Sequence, residues 1–102
     1  MRIRAAPRTF TRWRAHRQEV CGLRWSPCGA YLATGGNDNE LNVWSAAKLR
    51  SGGAGPRRPR LEPACRFREH AAAVKAIAWS PHRRLRLASG AGRCVRIRSA
   101  RS

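Results

Sequence analysis

Apolar residues along this chain favour every second position. Val20 and Gly22, then Leu23 and Trp25, alternate around a small-residue break, and Leu41 and Val43 alternate with Asn42 and Trp44. A period of two lines one face of a β-strand, whereas a helix needs apolar residues three and four apart. The pattern predicts short strands near residues 8–14, 20–26, 31–36, 40–45, 64–68, 74–80, 85–90 and 94–98. Turn chemistry lies between them. Ser26-Pro27-Cys28-Gly29 makes a tight connection, and Gly35-Gly36-Asn37-Asp38-Asn39 is rich in residues that tolerate positive φ.

The pattern is used twice. His16, Val20, Trp25, Ser26 and Pro27 coincide with His70, Val74, Trp79, Ser80 and Pro81 at an offset of 54 residues, and Leu32-Ala33-Thr34-Gly35 matches Leu87-Ala88-Ser89-Gly90. Four strands per unit, with His before the second and Trp at the end of the fourth, outline a propeller blade. Between the units, residues 47–63 lack periodicity and carry Gly52-Gly53-Ala54-Gly55-Pro56-Arg57-Arg58-Pro59-Arg60, which predicts a flexible loop. Without this insertion the repeat spacing approaches the roughly 40 residues of a WD blade.

Composition narrows the partners. A chain of 102 residues is at most one small domain, which excludes a multidomain enzyme. Its 22 Lys+Arg against 5 Asp+Glu give a net charge of +17, yet 42% apolar residues with four Trp are too many for a wholly disordered basic tail. Twenty of the basic residues are Arg, spread from Arg2 to Arg101, and GC-rich codon bias accounts for such a distribution. Dispersed charge predicts at most non-specific electrostatic binding to nucleic acid. No apolar run reaches the roughly 18 residues of a membrane helix, and Met1 to Pro7 has no signal-peptide stretch, so an intracellular, soluble protein without a membrane partner is expected. Cys21, Cys28, Cys65 and Cys94 include no close pair of the kind that converges on zinc, and His16, His70 and His82 do not supply one. No metal or other cofactor is expected, and the thiols are read as free in a reducing compartment.

Three segments carry a closer likeness: His16-Arg17-Gln18-Glu19-Val20-Cys21-Gly22-Leu23-Arg24-Trp25-Ser26, Gly35-Gly36-Asn37-Asp38-Asn39, and Ala72-Ala73-Val74-Lys75-Ala76-Ile77-Ala78-Trp79-Ser80-Pro81-His82. They resemble two neighbouring middle blades of the Fizzy and Fizzy-related WD-repeat proteins, and the last leans toward the Fizzy-related branch. The resemblance spans residues 2–98 apart from 47–63. It implies an all-β fold of WD-repeat β-propeller blades, about two four-stranded antiparallel blades of an incomplete propeller. Residues 1–7 would end a preceding blade, 8–46 form the first blade, 47–63 the insertion loop, and 64–102 a second, degenerate blade. Family members are coactivators of the anaphase-promoting complex, a ubiquitin ligase of cell-cycle control, and their propeller recruits substrates bearing degron motifs. The implied protein is no enzyme; its partners are that complex and degron-bearing substrates, in nucleus and cytoplasm.

The resemblance also gives residues their roles. His16, Thr34, Asp38 and Trp44 form a structural tetrad, in which the His ring bridges an Asp in the turn and a Thr hydroxyl that meets the Trp N–H. A half-satisfied buried network is costly, so the four are expected to act as a unit. A catalytic reading of His16, Asp38 and Thr34 lacks an oxyanion hole and a cleft. Asn37 and Asn39 match the loop by which the family captures Lys-Glu-Asn degrons, although Asn also favours such turns for its own backbone.

The second unit departs from this pattern. His70 and Ser89 make a partial second tetrad, but Gly90 to Arg98 contains no acidic residue and has Arg98 where the Trp should stand. The turn is about three residues shorter than the family's. The expectation is a network that cannot close and a blade frayed after about Ser89, with Val95 and Ile97 still able to pair. Neither the family's complex-binding motif nor its Ile-Arg tail is present, which points to a fragment, a truncated product or a degenerating copy. Two other readings stand beside the coactivator module: a basic nucleic-acid-associated protein, and a remnant with a scaffold role that completes a propeller only by pairing with another chain.

Overall fold

The computed structural model describes residues 12–51 and 61–100. They form strands β1 (Val20–Trp25), β2 (Tyr31–Gly36) and β3 (Leu41–Ser45), helix α1 (Ala46–Ser51), and strands β4 (Cys65–Phe67), β5 (Val74–Trp79), β6 (Arg86–Ala91) and β7 (Cys94–Ser99). Two antiparallel sheets result, one in the order β1-β2-β3-β4 and one in the order β5-β6-β7. This is the all-β, two-sheet arrangement of WD-repeat blades.

The sheets share one register. Trp25 lies opposite Leu32 and Trp79 opposite Leu87; Leu32 in turn faces Trp44, and Leu87 faces Arg98. Both first hairpins shift register at the same place, between Val20 and Gly22 and between Val74 and Ala76. A bulge of this kind turns the strand and explains the break in alternation there.

Alternation then decides what each face covers. Ala33, Leu41 and Val43 turn one way and are fully buried against Val74, Ile77, Leu87 and Ala91 of the second sheet. Leu32 and Trp44 turn the other way and bury with Leu49, under Trp13, Ala15 and Leu61. Contact between the sheets is close because the first sheet is glycine at the junction. A Cβ on Gly22 would stand 2.6 Å from the Lys75 carbonyl oxygen, and one on Gly35 would collide with the Val74 backbone and side chain. Trp79 completes the junction by donating its indole N–H to the Arg24 carbonyl at 3.0 Å.

Four expectations are corrected. The strand near 64–68 pairs with β3 and closes the first sheet instead of opening the second. The repeat in sequence and the sheet in space are therefore one strand out of step, since the edge left by β3 is the nearest unpaired backbone. Residues 12–14 of the strand near 8–14 are not in a strand; residues 8–11 lie outside the described residues. The loop over 47–63 begins as helix. Ser45 caps α1 through its hydroxyl, and Ala46 and Leu49, three apart, bury beside Trp44. Residues 52–60 of that loop, like residues 1–7, lie outside the described residues. The second sheet does not fray after Ser89. β6 and β7 pair continuously from Arg86↔Ser99 to Ala91↔Cys94 around Gly92, whose φ of 57° suits a tight turn.

Candidate functional site

The turn between β2 and β3 is built from its backbone outward. Asn39 takes the left-handed conformation (φ 69°) that Asn tolerates, and its N–H donates to the Gly36 carbonyl at 3.2 Å. Glu40 donates its N–H to Asp38 Oδ1 at 3.1 Å, an Asx-type contact that points the carboxylate inward. Asp38 also accepts the Arg17 N–H at 3.0 Å, which ties the turn to the segment before β1. Gly36 leaves room for this, because a Cβ there would meet the His16 ring and the Asp38 carboxylate.

The structure brings His16, Thr34, Asp38 and Trp44 together. His16 Nδ1 lies 3.0 Å from Asp38 Oδ1, His16 Nε2 lies 2.8 Å from Thr34 Oγ1, and Trp44 Nε1 donates to Thr34 Oγ1 at 2.9 Å. The partners assign the Nδ1–H tautomer, since Thr34 then accepts from Trp44 and donates to Nε2 with every group satisfied. Burial opposes ionisation of Asp38 most strongly. The Arg17 and Glu40 N–H groups and His16 outweigh it and hold the carboxyl below its ordinary range. Thr34 Oγ1 is buried and already engaged on both sides, so the cluster acts as a brace for the turn and offers no nucleophile. Glu40 lies near the same carboxylate and imidazole, a grouping able to hold a cation. Its carboxylate instead faces Arg68 at 2.9 Å and Arg17 at 3.8 Å, and both His16 nitrogens are committed.

His70 and Ser89 are also in place, joined Nε2 to Oγ at 2.8 Å. The rest of the second network is missing. His70 Nδ1 is buried without a partner, and Arg98 occupies the register of Trp44. Its guanidinium lies 4.5 Å over the Phe67 ring and 2.7 Å from Glu69 Oε2, as a charge contact without an N–H aligned for hydrogen bonding. Trp13, the counterpart of Phe67 at the 54-residue offset, stacks edge-on to Trp44 at 5.6 Å.

Of the two loop asparagines, Asn37 is exposed and Asn39 half-buried. Asn37 donates its N–H to the Glu19 carbonyl and its side-chain amide to Gln18 Oε1 at 3.1 Å. A cleft of about 300 Å³ opens next to His16, lined by Arg14, Arg17, Arg66 and Arg68 together with Glu40 and Asn42. Asn42 donates to the Ala15 carbonyl at 3.0 Å, and its own Oδ1 is buried without a partner. Sequence reasoning did not single out Asn42 or this Arg group. The signal was present in the repeat, because Arg14 and Arg68 each stand two residues before a repeat histidine.

Among the described residues no helix is long and apolar enough to cross a membrane. The chain matches the family description "WD domain, G-beta repeat" over residues 7–45 and 61–99. It is 45% identical over 98 residues to Protein FIZZY-RELATED 1 of Arabidopsis thaliana, across 93% of this chain and 18% of that protein. It is 41% identical to anaphase-promoting complex subunit cdh1 of Dictyostelium discoideum, across 80% of this chain and 14% of that protein. A chain in the crystal structure of the mitotic checkpoint complex superposes with a TM-score of 0.69 at 36% identity, over 84% of this chain and 24% of that one. The chain thus spans less than a fifth of each of these two relatives, and its two repeats place it in the WD-repeat family, with Fizzy-related proteins among its relatives.

Proposed function

We propose that this chain supplies part of the substrate-recruiting WD-repeat surface of an anaphase-promoting complex coactivator, and that the turn from Gly35 to Asn39 contacts degron peptides of the Lys-Glu-Asn kind. The observation that carries this reading is the braced turn itself. The tetrad fixes the backbone from which Asn37 projects into solvent. Its carboxamide suits an extended peptide, which offers an N–H and a carbonyl at each residue. Of the guanidinium groups that line the neighbouring cleft, Arg17 and Arg68 already face Glu40, so a peptide glutamate would meet Arg14 and Arg66, and the vacant Asn42 carbonyl suits a peptide N–H. The module contributes binding and no bond chemistry. Residence in nucleus and cytoplasm belongs to the same proposal.

The test is fluorescence anisotropy of a labelled Lys-Glu-Asn peptide with the 102-residue chain, against a scrambled peptide. Asn37→Ala should weaken binding about tenfold, the loss of one or two hydrogen bonds. Equal binding of both peptides, or no change in Asn37→Ala, would overturn the proposal. Raising salt separates it from simple polyanion attraction, because phosphate-dominated binding collapses steeply as counterions compete.

A further inference from the structure

One buried acceptor in the cleft next to His16 is left open. Asn42 is 1% exposed, its side-chain amide donates to the Ala15 carbonyl at 3.0 Å, and its Oδ1 meets no donor among the described residues. The orientation is fixed, because turning the amide over would set Oδ1 against the Ala15 oxygen. The fold does not call for asparagine here. Thr34 faces Asn42 in the first sheet and Ser89 faces Arg96 in the second, so the same place in the register takes a different residue. A buried acceptor without a donor costs stability, and a ligand that brings the donor removes that cost.

The same cleft holds more positive charge than one carboxylate answers. Four guanidiniums against the single carboxylate of Glu40 leave +3 among its lining residues. Glu40 faces Arg17 and Arg68, whereas Arg14 and Arg66 have no ion-pair partner among the described residues. Arg66 lies directly across from Asn42 in the β3–β4 ladder, on the same face, which sets the two Cβ atoms about 5 Å apart. A fitting ligand therefore brings an anion and an N–H a few bonds from each other. We infer that the cleft takes a phosphoserine or phosphothreonine of a bound peptide, its phosphate between Arg14 and Arg66 and its own backbone N–H on Asn42 Oδ1. The inference rests on the reading of this chain as a peptide-recruiting module and names the residue that enters the cleft. Glutamate offers one charge to these groups. A phosphate monoester offers roughly −1.5 to −2 and three acceptor oxygens, which the planar guanidinium fork meets in pairs.

Fluorescence anisotropy with the 102-residue chain at fixed ionic strength tests this, using a short Gly/Ala peptide with one phosphoserine and its twins carrying serine or glutamate there. The phosphopeptide should bind about tenfold more tightly than the glutamate twin, and the serine twin more weakly than both. Arg14→Gln and Arg66→Gln, both at exposed positions, should each weaken it about tenfold, whereas Arg93→Gln, which removes the same charge outside the cleft, should change it little. Methylating the phosphoserine amide nitrogen takes away the donor to Asn42 without touching the protein, and should also cost about tenfold. Inorganic phosphate should displace the peptide only in large excess. An equal loss in Arg93→Gln would mean the general field of a +17 chain, and inorganic phosphate competing on equal terms would mean a site for the free ion. Either result overturns the inference, as does a glutamate twin or a methylated peptide that binds as tightly. Asn37→Ala should leave phosphopeptide binding unchanged, which separates the cleft from the turn. Failure of the phosphopeptide while the Lys-Glu-Asn peptide still binds overturns the phosphate assignment alone, and the reverse overturns the degron role of the turn alone.

Discussion

The two sheets are built from one repeat with one register, and they are held by different chemistry. In the first, a continuous path of donors and acceptors runs from Trp44 through Thr34 and His16 to Asp38, and every member has a partner. In the second, one link of that path survives, between His70 and Ser89. What replaces the rest is a half-cationic patch, Arg98 between Phe67 and Glu69. Both arrangements support a paired hairpin, so strand pairing here does not require the network. The network does something else: it fixes the turn beyond the hairpin. The first sheet has a four-residue connection from Asn37 to Glu40 with the Asp38 carboxylate turned inward, and the second turns directly through Gly92 and Arg93. Strain differs too. The turn before β2 takes its left-handed residue from Gly29 (φ 74°), whereas the one before β6 forces Leu85 to φ 61°, at a cost of roughly 1–2 kcal/mol.

The largest effect should come from breaking the closed network. Asp38→Ala leaves a buried imidazole and two backbone N–H groups without their acceptor and should cost about 3 kcal/mol or more, read as a fall in the urea midpoint. Loss well under about 1 kcal/mol would mean the four residues do not act as a unit. A smaller effect of opposite sign is expected from repairing the open network. Arg98→Trp removes a buried guanidinium and offers Ser89 the indole N–H that Thr34 receives from Trp44, with Phe67 placed to pack as Trp13 does. It should stabilise by about 1 kcal/mol in the same assay.

The smallest effect is a difference in acid sensitivity. Burial, then Arg98 and Arg96, push His70 below the ordinary histidine value of 6.5, with Glu69 opposing. The unfolded chain then binds the proton more readily than the folded one, so this contribution is whole above 6.5 and fades as pH falls through the lower folded value. Asp38 obeys the same sign from a lower start, with its contribution whole above 3.8 and lost only further down. Acidification should therefore loosen β6 and β7 before β2 and β3, visible as earlier loss of their amide signals. Simultaneous loss would contradict the assignment.

Much of this was legible in the residues, for definable reasons. Strand positions came from alternation, and the repeat fixed which residues correspond, so β2 and the pairing of Val95 and Ile97 could be read directly. The tetrad followed from the resemblance, because its spacing is set by strand length. Three features were hidden. Strand β4 belongs to the first sheet because pairing depends on the nearest open edge, which a one-dimensional repeat does not display. Helix α1 was masked by the Gly and Pro that follow it, although Ser45 and the Ala46/Leu49 pair were there to be read. The second sheet was expected to fray after about Ser89 because its turn lacks an acidic residue and Arg98 stands at the Trp position. In the fold its guanidinium lies over Phe67 and against Glu69, and the register is kept.

Residue-resolved amide hydrogen exchange on the intact chain tests the central contrast most directly. If the closed network braces the first sheet and the open one leaves the second to strand pairing alone, the amides of Thr34, Asn42 and Trp44 should exchange at least about tenfold more slowly than those of Ser89, Arg96 and Arg98. Equal protection, or better protection of the second sheet, would contradict it.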